Sequence, residues 1–162
     1  MDLIYKPINA DQDLTDSIIV IRNSFATVAG EFNLTPDNAP TNPAFIEVRH
    51  LKRMREKGIV MFGVFHDESQ VGFVAVEKKA ENEFYMERLA VLPEYRHKGY
   101  GRKIVEHVSA YVAGQGGGRV LIGMIDEHVL LKAWYCSLGF KEQHVARHVH
   151  LPFAVCYMEK IL

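Results

Sequence analysis

The stretch that most constrains the fold is residues 84–103, FYMERLAVLPEYRHKGYGRK. Residues 84–92 are rich in apolar and aromatic side chains and are followed by Pro93, which cannot donate to a strand ladder, so they predict a strand. The remainder is basic, contains two glycines and leads into apolar residues at helical spacing. The stretch therefore predicts a strand, a glycine-containing loop and a helix that begins near Gly101.

The basic loop predicts a binding site for a polyanion. The first turn of a helix has unpaired backbone N–H groups and the positive end of the helix dipole, so it can hold phosphate oxygens. Glycine allows the backbone to approach a ligand closely, and basic side chains attract negative charge. The predicted pyrophosphate site comprises Arg96, His97, Lys98, Gly99, Tyr100, Gly101 and Arg102.

Two common nucleotide motifs do not fit this loop. A Walker loop, G-x-x-x-x-G-K-[ST], is absent, and the dinucleotide fingerprint requires a third glycine where the sequence has Ile104. Residues 96–101, RHKGYG, instead resemble the R-x-x-G-x-G acyl-CoA signature of the GNAT superfamily of N-acetyltransferases. Residues 87–96 are similar to that family's fourth strand and its exit, and residues 134–140 to its later helix-to-strand motif. The clear resemblance covers residues 84–140.

The order of predicted elements agrees with this resemblance. Periodicity and turn signals predict β-α-α-β-β-β-α-β-α-β-β. In detail, residues 30–42 are predicted as a loop, and Thr41 or Asn42 with Pro43 as the start of a second helix that Gly58 ends. The resemblance implies an α/β fold of α+β type, with a mixed sheet of about seven strands, four helices and a V-shaped splay between the fourth and fifth strands.

Length and composition are those of one globular domain spanning residues 1–162. Apolar residues make up 48% and charged residues 24%, with 19 basic against 20 acidic, which argues against disorder and against a nucleic-acid-coating surface. The N-terminus lacks the apolar run of a signal peptide, and no segment approaches the roughly 18 apolar residues of a membrane span. We therefore expect a cytoplasmic protein with no nucleic-acid or membrane partner. A homodimer is compatible with the sequence.

The two cysteines, Cys136 and Cys156, are predicted to be free buried thiols and have no metal-ligand spacing. We expect no metal. A zinc site at His144, His148 and His150, which share one parity on a predicted strand, is a minor alternative, as is Cys136 acting as a nucleophile.

The resemblance also implies roles in moving an acetyl group from acetyl-CoA to an amine. Glu87 is the candidate general base; its alternative is a charged residue on a half-exposed strand face. Backbone N–H groups of Leu89, Ala90 and Val91 would polarise the acyl carbonyl and bind pantetheine. Tyr135 is the candidate acid for the CoA thiolate, and its alternative is core packing.

One position departs from the family pattern. The family often has an E-N-x-x-L sequence at the start of the helix after the fifth strand, and here Glu127 is followed by His128. The imidazole could still donate a hydrogen bond to pantetheine, or His128 could be an ordinary helix-start residue.

The leading hypothesis is a CoA-dependent N-acetyltransferase that uses direct transfer in a ternary complex. The acceptor would be shaped by residues 25–49 and 147–153, with Glu31, Asp37 and Glu47 as scattered acidic groups favouring a cationic amine. A small-molecule amine fits better than a protein lysine, since no anionic docking run is present. The alternatives are a non-catalytic acyl-CoA-binding sensor or regulatory module and, third, an unrelated nucleotide-binding protein.

Overall fold

The computed structural model describes residues 2–162. The predicted order of seven strands and four α-helices is confirmed. The strands are β1 (Ile4–Pro7), β2 (Val60–His66), β3 (Ser69–Lys78), β4 (Glu83–Val91), β5 (Arg119–Ile125), β6 (Lys141–Arg147) and β7 (Ala154–Ile161). The helices are α1 (Asp11–Glu31), α2 (Val48–Glu56), α3 (Tyr100–Gly114) and α4 (Val129–Ser137). Within residues 2–162, no helix is long and apolar enough to cross a bilayer.

The strands form one sheet in the order β1-β2-β3-β4-β5-β7-β6. All neighbours are antiparallel except β4 and β5, which run parallel. Their pairing covers only Glu83 with Arg119, Phe84 with Val120 and Tyr85 with Leu121, although both strands continue beyond these pairs. The strands therefore separate after Tyr85, which is the predicted splay.

Helices cover the sheet on both faces. Alternate residues of β3 show the two layers, because Phe73 and Ala75 join the core under α1 and α2 while Val74 and Val76 join the core under α3 and α4. The two apolar clusters sandwich the central strands, and this packing fixes where the splay opens.

A β-bulge interrupts β4 beside the splay. Phe73 pairs with Ala90 and Ala75 with Glu87, so two residues, Arg88 and Leu89, oppose one on β3. Arg88 adopts a left-handed backbone with φ of 54°. A bulge leaves its extra residue outside the regular ladder and redirects neighbouring groups, so it frees backbone at the position where the resemblance implies a thioester contact.

Two predicted boundaries are wrong. The first helix continues through Gly30 to Glu31, and no second α-helix begins at Thr41 or Asn42. Asn42 does cap a turn, since its Oδ1 accepts from the N–H of Ala44 at 3.0 Å, but that turn is a short 3₁₀ segment, Pro43–Phe45. Extended backbone at Ile46 ends it, and the helix proper starts at Val48.

Candidate functional site

A cavity of about 980 Å³ lies in the splay between β4 and β5. Its walls come from α1, residues 41–43, both splayed strands, the loop before α3, α4 and Phe153. Every predicted site residue except Lys98 lines it, namely Glu87, Leu89, Ala90, Val91, Arg96, His97, Gly99, Tyr100, Gly101, Arg102, His128 and Tyr135. The fold thus brings together residues that lie far apart in the sequence.

The glycine loop delivers the N-terminus of α3 to this cavity. Gly99 is the N-cap of α3 and has φ of +81°, and His97 is also left-handed at +61°. No atom lies within 4 Å of the position that a Cβ of Gly99 would occupy. Glycine is required there by the positive φ, and the space beside it remains open for a ligand.

Gly101 has a packing role in addition to the predicted one. A Cβ at this position would lie 2.9 Å from Cζ2 of Trp134, which is closer than van der Waals contact allows. The missing side chain therefore makes room for the indole of α4 against α3. The predicted close approach of the backbone to a phosphate stays a prediction, and the open space for it lies beside Gly99.

The guanidinium of Arg96 is held by protein acceptors. It donates to the carbonyl oxygen of Val91 (3.2 Å), to Oγ1 of Thr27 (3.1 Å) and to the carbonyl oxygen of Ser24. Partial burial lowers the pKa of Arg96, opposed by the charge of Glu94. In this arrangement Arg96 ties the loop to β4 and α1, so it positions the loop in addition to lining the cavity.

Lys98 lies outside the cavity wall. Its side chain is exposed, and its Nζ is 5.6 Å from the centroid of the Tyr95 ring. Any contribution of Lys98 to anion binding would be through its charge.

Glu87 lies on the cavity wall immediately before the bulge. Burial raises the pKa of its carboxyl, Arg88 opposes this shift, and the neighbouring Glu77 carboxyl adds to it. The Oε2 atom forms an ion pair with Nη1 of Arg88, whereas Oε1 is buried and has no hydrogen-bond donor among residues 2–162. A carboxyl with a raised pKa is better matched to taking a proton near neutral pH than an ordinary glutamate.

Tyr135 is both packed and exposed to the cavity. Its ring makes edge contacts with Trp134 (4.9 Å between centroids) and Phe140 (5.3 Å), and it belongs to the core under α3 and α4. Burial raises the pKa of Tyr135. Because its pKa is raised, the hydroxyl stays protonated at neutral pH, and Tyr135 lies on the cavity wall.

His128 starts helix α4 and also lines the cavity. It is the N-cap of α4, and its Nδ1 accepts from the N–H of Leu131 at 3.3 Å. In the neutral tautomer inferred from that bond, Nε2 carries the proton. His128 therefore starts the helix and retains a donor at the cavity wall.

Sequence reasoning missed Tyr85 and Gly123. Tyr85 lines the cavity, and burial, aided by Tyr157 and Glu87, raises its pKa to about 12. Its hydroxyl reaches across the splay to Gly123 on β5. The available signal was the strand period, because Tyr85 stands two residues before Glu87 and shares its face.

His144 lies on β6, whereas His148 and His150 lie in the loop between β6 and β7, and the three do not form a metal-ligand group among residues 2–162. His148 Nε2 lies 2.7 Å from the Tyr157 hydroxyl, and His144 stacks on the Tyr157 ring. In the described chain the group with ligand-like geometry is Asp126, Glu142 and Cys156. The ammonium of Lys132 contacts both carboxylates there and supplies positive charge.

The cysteine prediction is half right. Cys156 is buried, as predicted, but Cys136 is exposed. Tyr135 occupies the buried face of α4, and the next residue of a helix is rotated by roughly 100° from it, which places Cys136 outside.

Comparison with known proteins establishes the family. The profile of the acetyltransferase (GNAT) domain matches residues 57–142, just over half of the chain. The chain therefore belongs to the GNAT acetyltransferase family. No curated protein sequence matches significantly.

Solved structures of this family share the fold at low sequence identity. An acetyltransferase from Thermus thermophilus has a TM-score of 0.79 and 15% identity, over 100% of this chain and 98% of that one. The ribosomal-protein-S18-alanine N-acetyltransferase from Escherichia coli has 0.77 and 16%, over 99% and 94%. The PaiA N-acetyltransferase from Thermoplasma acidophilum, solved in complex with coenzyme A, has 0.75 and 20%, over the full length of both chains. The predicted fold class is confirmed.

Proposed function

We propose that this chain is an acetyl-CoA-dependent N-acetyltransferase that moves an acetyl group directly to a primary amine. The observation that carries the proposal is the cavity through the splay, which connects the N-terminus of α3 on one side with Glu87 and α1 on the other. Cofactor and acceptor can therefore approach the bulge of β4 from opposite faces of the sheet. The proposal treats residues 1–162 as one domain; a cytoplasmic location and a homodimer stay predictions.

The α3 side supports binding of a pyrophosphate. The first turn of α3, with Arg102 on it and His97 before it, lines the cavity. Unpaired N–H groups and the helix dipole there would hold phosphate oxygens. His128, which retains a donor, would contact the pantetheine arm. The bound coenzyme A of the Thermoplasma acidophilum structure supports this assignment by similarity of fold.

The bulge of β4 would polarise the thioester carbonyl. Backbone N–H groups of Leu89, Ala90 and Val91 would donate to the thioester oxygen as negative charge develops on it. The amine nitrogen then forms a bond to the carbonyl carbon, and the carbon–sulfur bond breaks.

Two side chains would move the protons of this reaction. An alkylammonium has a pKa near 10, so it must lose a proton before it can attack, and Glu87 is the proposed acceptor of that proton. Tyr135 would donate its hydroxyl proton to the departing CoA thiolate. Its buried, protonated hydroxyl on the cavity wall fits this role.

The acceptor side favours a small amine with an apolar body. Phe25, Val28 and Phe153 are partly buried and line the cavity, so a ligand could cover their apolar surface. Glu31 is at the same wall, whereas Asp37 and Glu47 are not among the lining residues. The Glu31 carboxylate beside these apolar side chains suits an amine that has one positive charge and few other polar groups.

The test is the melting temperature of the purified chain with acetyl-CoA, with ATP and NAD as controls. Ligand at about 100 times its dissociation constant should add roughly 2.7 kcal/mol and raise the melting temperature by several degrees. A shift with acetyl-CoA alone supports the site. No shift at millimolar acetyl-CoA would overturn the assignment of residues 96–101.

A turnover assay distinguishes the enzyme from the alternative, a non-catalytic acyl-CoA sensor. An amine screen with thiol release as the signal should detect transfer, and Glu87→Gln and Tyr135→Phe should each lower it about 10²–10⁴-fold. Both variants should still show the acetyl-CoA shift. Binding without transfer to any amine would favour the sensor.

A further inference from the structure

A second carboxyl lies beside Glu87 on the same face of the sheet. The register pairs Ala75 with Glu87 and Glu77 with Tyr85, which makes Glu77 and Glu87 diagonal neighbours across β3 and β4. Side chains in this relationship are within reach of each other. Consistent with this placement, the Glu77 carboxyl contributes to the raised pKa of Glu87. Two carboxyl oxygens cannot form a hydrogen bond unless a proton is present between them.

The atoms around Glu87 leave one position for such a proton. Its Oε2 is occupied by Arg88, while Oε1 is buried and has no donor within residues 2–162. Buried polar atoms in folded proteins nearly always have a partner. A proton held between Glu77 and Oε1 of Glu87 would satisfy this atom.

We propose that Glu77 and Glu87 act as one proton acceptor, which takes a single proton and holds it between the two carboxyls. The role in catalysis rests on the proposed function. In that reaction the acceptor ammonium loses one proton to the doubly ionised pair, and the free amine attacks the thioester. The pair then returns the proton to water, so no further reactant is needed. Glu77 is a positioning residue here because it acts on the amine only through Glu87.

The surroundings of the pair allow this exchange. The Glu77 side chain is 28% exposed and that of Glu87 21%, so Glu77 is the more accessible to water. Lys79 Nζ lies 3.2 Å from Oε2 of Glu77. Arg88 and Lys79 provide one cation for each carboxylate, which makes the doubly ionised form accessible.

Other titratable groups near the pair are few. Tyr85 shares the face of β4, with Tyr157 beyond it on β7, and α1 contributes Glu31 to the same cavity. Tyr85 interacts with the Glu87 charge but is itself uncharged where a carboxyl titrates, so Arg88 and Glu77 are the groups that shift the pKa of Glu87. A change in the titration of Glu87 on substitution of Glu77 can therefore be assigned to the pair.

The test is a carbon-13 NMR titration of the chain labelled at the glutamate carboxyl carbon, with no acceptor present. Two coupled steps should appear for Glu77 and Glu87 in the wild type, assigned by their loss in Glu77→Gln and Glu87→Gln. Glu77→Gln should lower the Glu87 midpoint by about one pH unit or more, because the amide removes a negative charge and donates to Oε1.

Two further variants serve as controls. Glu81→Gln, at an exposed carboxylate in the turn between β3 and β4, should leave the Glu87 midpoint unchanged. Lys79→Met should move the Glu87 midpoint in the opposite direction, upward, because it removes the cation that compensates the charge of Glu77. Unchanged midpoints in both Glu77→Gln and Lys79→Met would overturn the proposal. The titration requires no turnover, so failure of the proposed function would show separately, in the acetyl-CoA melting experiment.

Discussion

The hydroxyl oxygen of Tyr85 lies 2.5 Å from the point that a Cβ of Gly123 would occupy. Tyr85 is on β4 and Gly123 on β5, beyond the last pair that joins the two strands. Cε1 of Tyr157, on the next strand, lies 3.3 Å from the same point. The absence of a side chain at Gly123 thus allows one tyrosine to bridge the splay and a second to flank it.

Substitution of Gly123 by alanine should displace the Tyr85 hydroxyl. Because that atom is at the end of a side chain, we expect the free energy of unfolding to fall by no more than about 1 kcal/mol. The cost should shrink when Tyr85→Phe is also present, since the clashing atom is then gone. Urea unfolding of the two single variants and the double variant measures this coupling. Equal costs in both backgrounds would contradict the contact.

Gly101→Ala should destabilise the chain by about 1–3 kcal/mol. The added methyl group would meet the Trp134 ring and force α3 and α4 apart, as overpacking does in other cores. Gly114→Ala is the matched control, because it lies in the same helix and a Cβ there would meet nothing within 4 Å. If thermal unfolding gives both variants the same melting temperature, the close contact between Gly101 and Trp134 does not restrict the residue at position 101.

Replacement of Arg96 by methionine should lower stability by about 1.5–3 kcal/mol even without ligand. The guanidinium donates to Val91, Thr27 and Ser24, and the two carbonyl oxygens would lose a charged donor. Lys98→Met, in the same loop but outside the cavity, should change stability by under about 0.5 kcal/mol. A variant of Arg96 that loses acetyl-CoA binding with unchanged unfolding would instead identify the residue as a phosphate ligand alone.

Stability should fall as the pH rises above about 10. The unfolded chain loses its tyrosine protons near that pH, whereas burial keeps the pKa of Tyr135 and Tyr85 higher in the folded chain. The stabilisation is therefore complete below pH 10 and is lost above it, by up to about 1.4 kcal/mol per pH unit for one tyrosine. Urea unfolding at pH 9, 10 and 11 should show a shallower decline for Tyr135→Phe. Parallel curves for the variant and the wild type would contradict the shift.

The parts of the site that could be predicted from the sequence are those encoded locally. The loop from Arg96 to Gly101 carries its own signals, in the charges, the glycines and the apolar helix that follows. The cap at Asn42 is also predictable, but nothing local shows that its helix stops after one turn. Helix length depends on the packing of the next residues, here Ile46 against α1 and α2.

Other features depend on contacts between distant segments. The need for glycine at Gly101 comes from Trp134, on a different helix. The meeting of Glu77 and Glu87 depends on the register between β3 and β4, which the residue pattern does not show. By contrast, the exposure of Cys136 follows from the helical period once Tyr135 is placed inside.

The short seam between β4 and β5 has a mechanical consequence. Three residue pairs join the first four strands of the sheet to the last three, and the ion pair between Arg119 and Glu83 reinforces this seam. Beyond it, the two parts of the sheet are held by side chains across an opening. A molecule bound in this opening would contact both parts of the sheet and connect them. Binding there would therefore also stiffen the sheet across the seam.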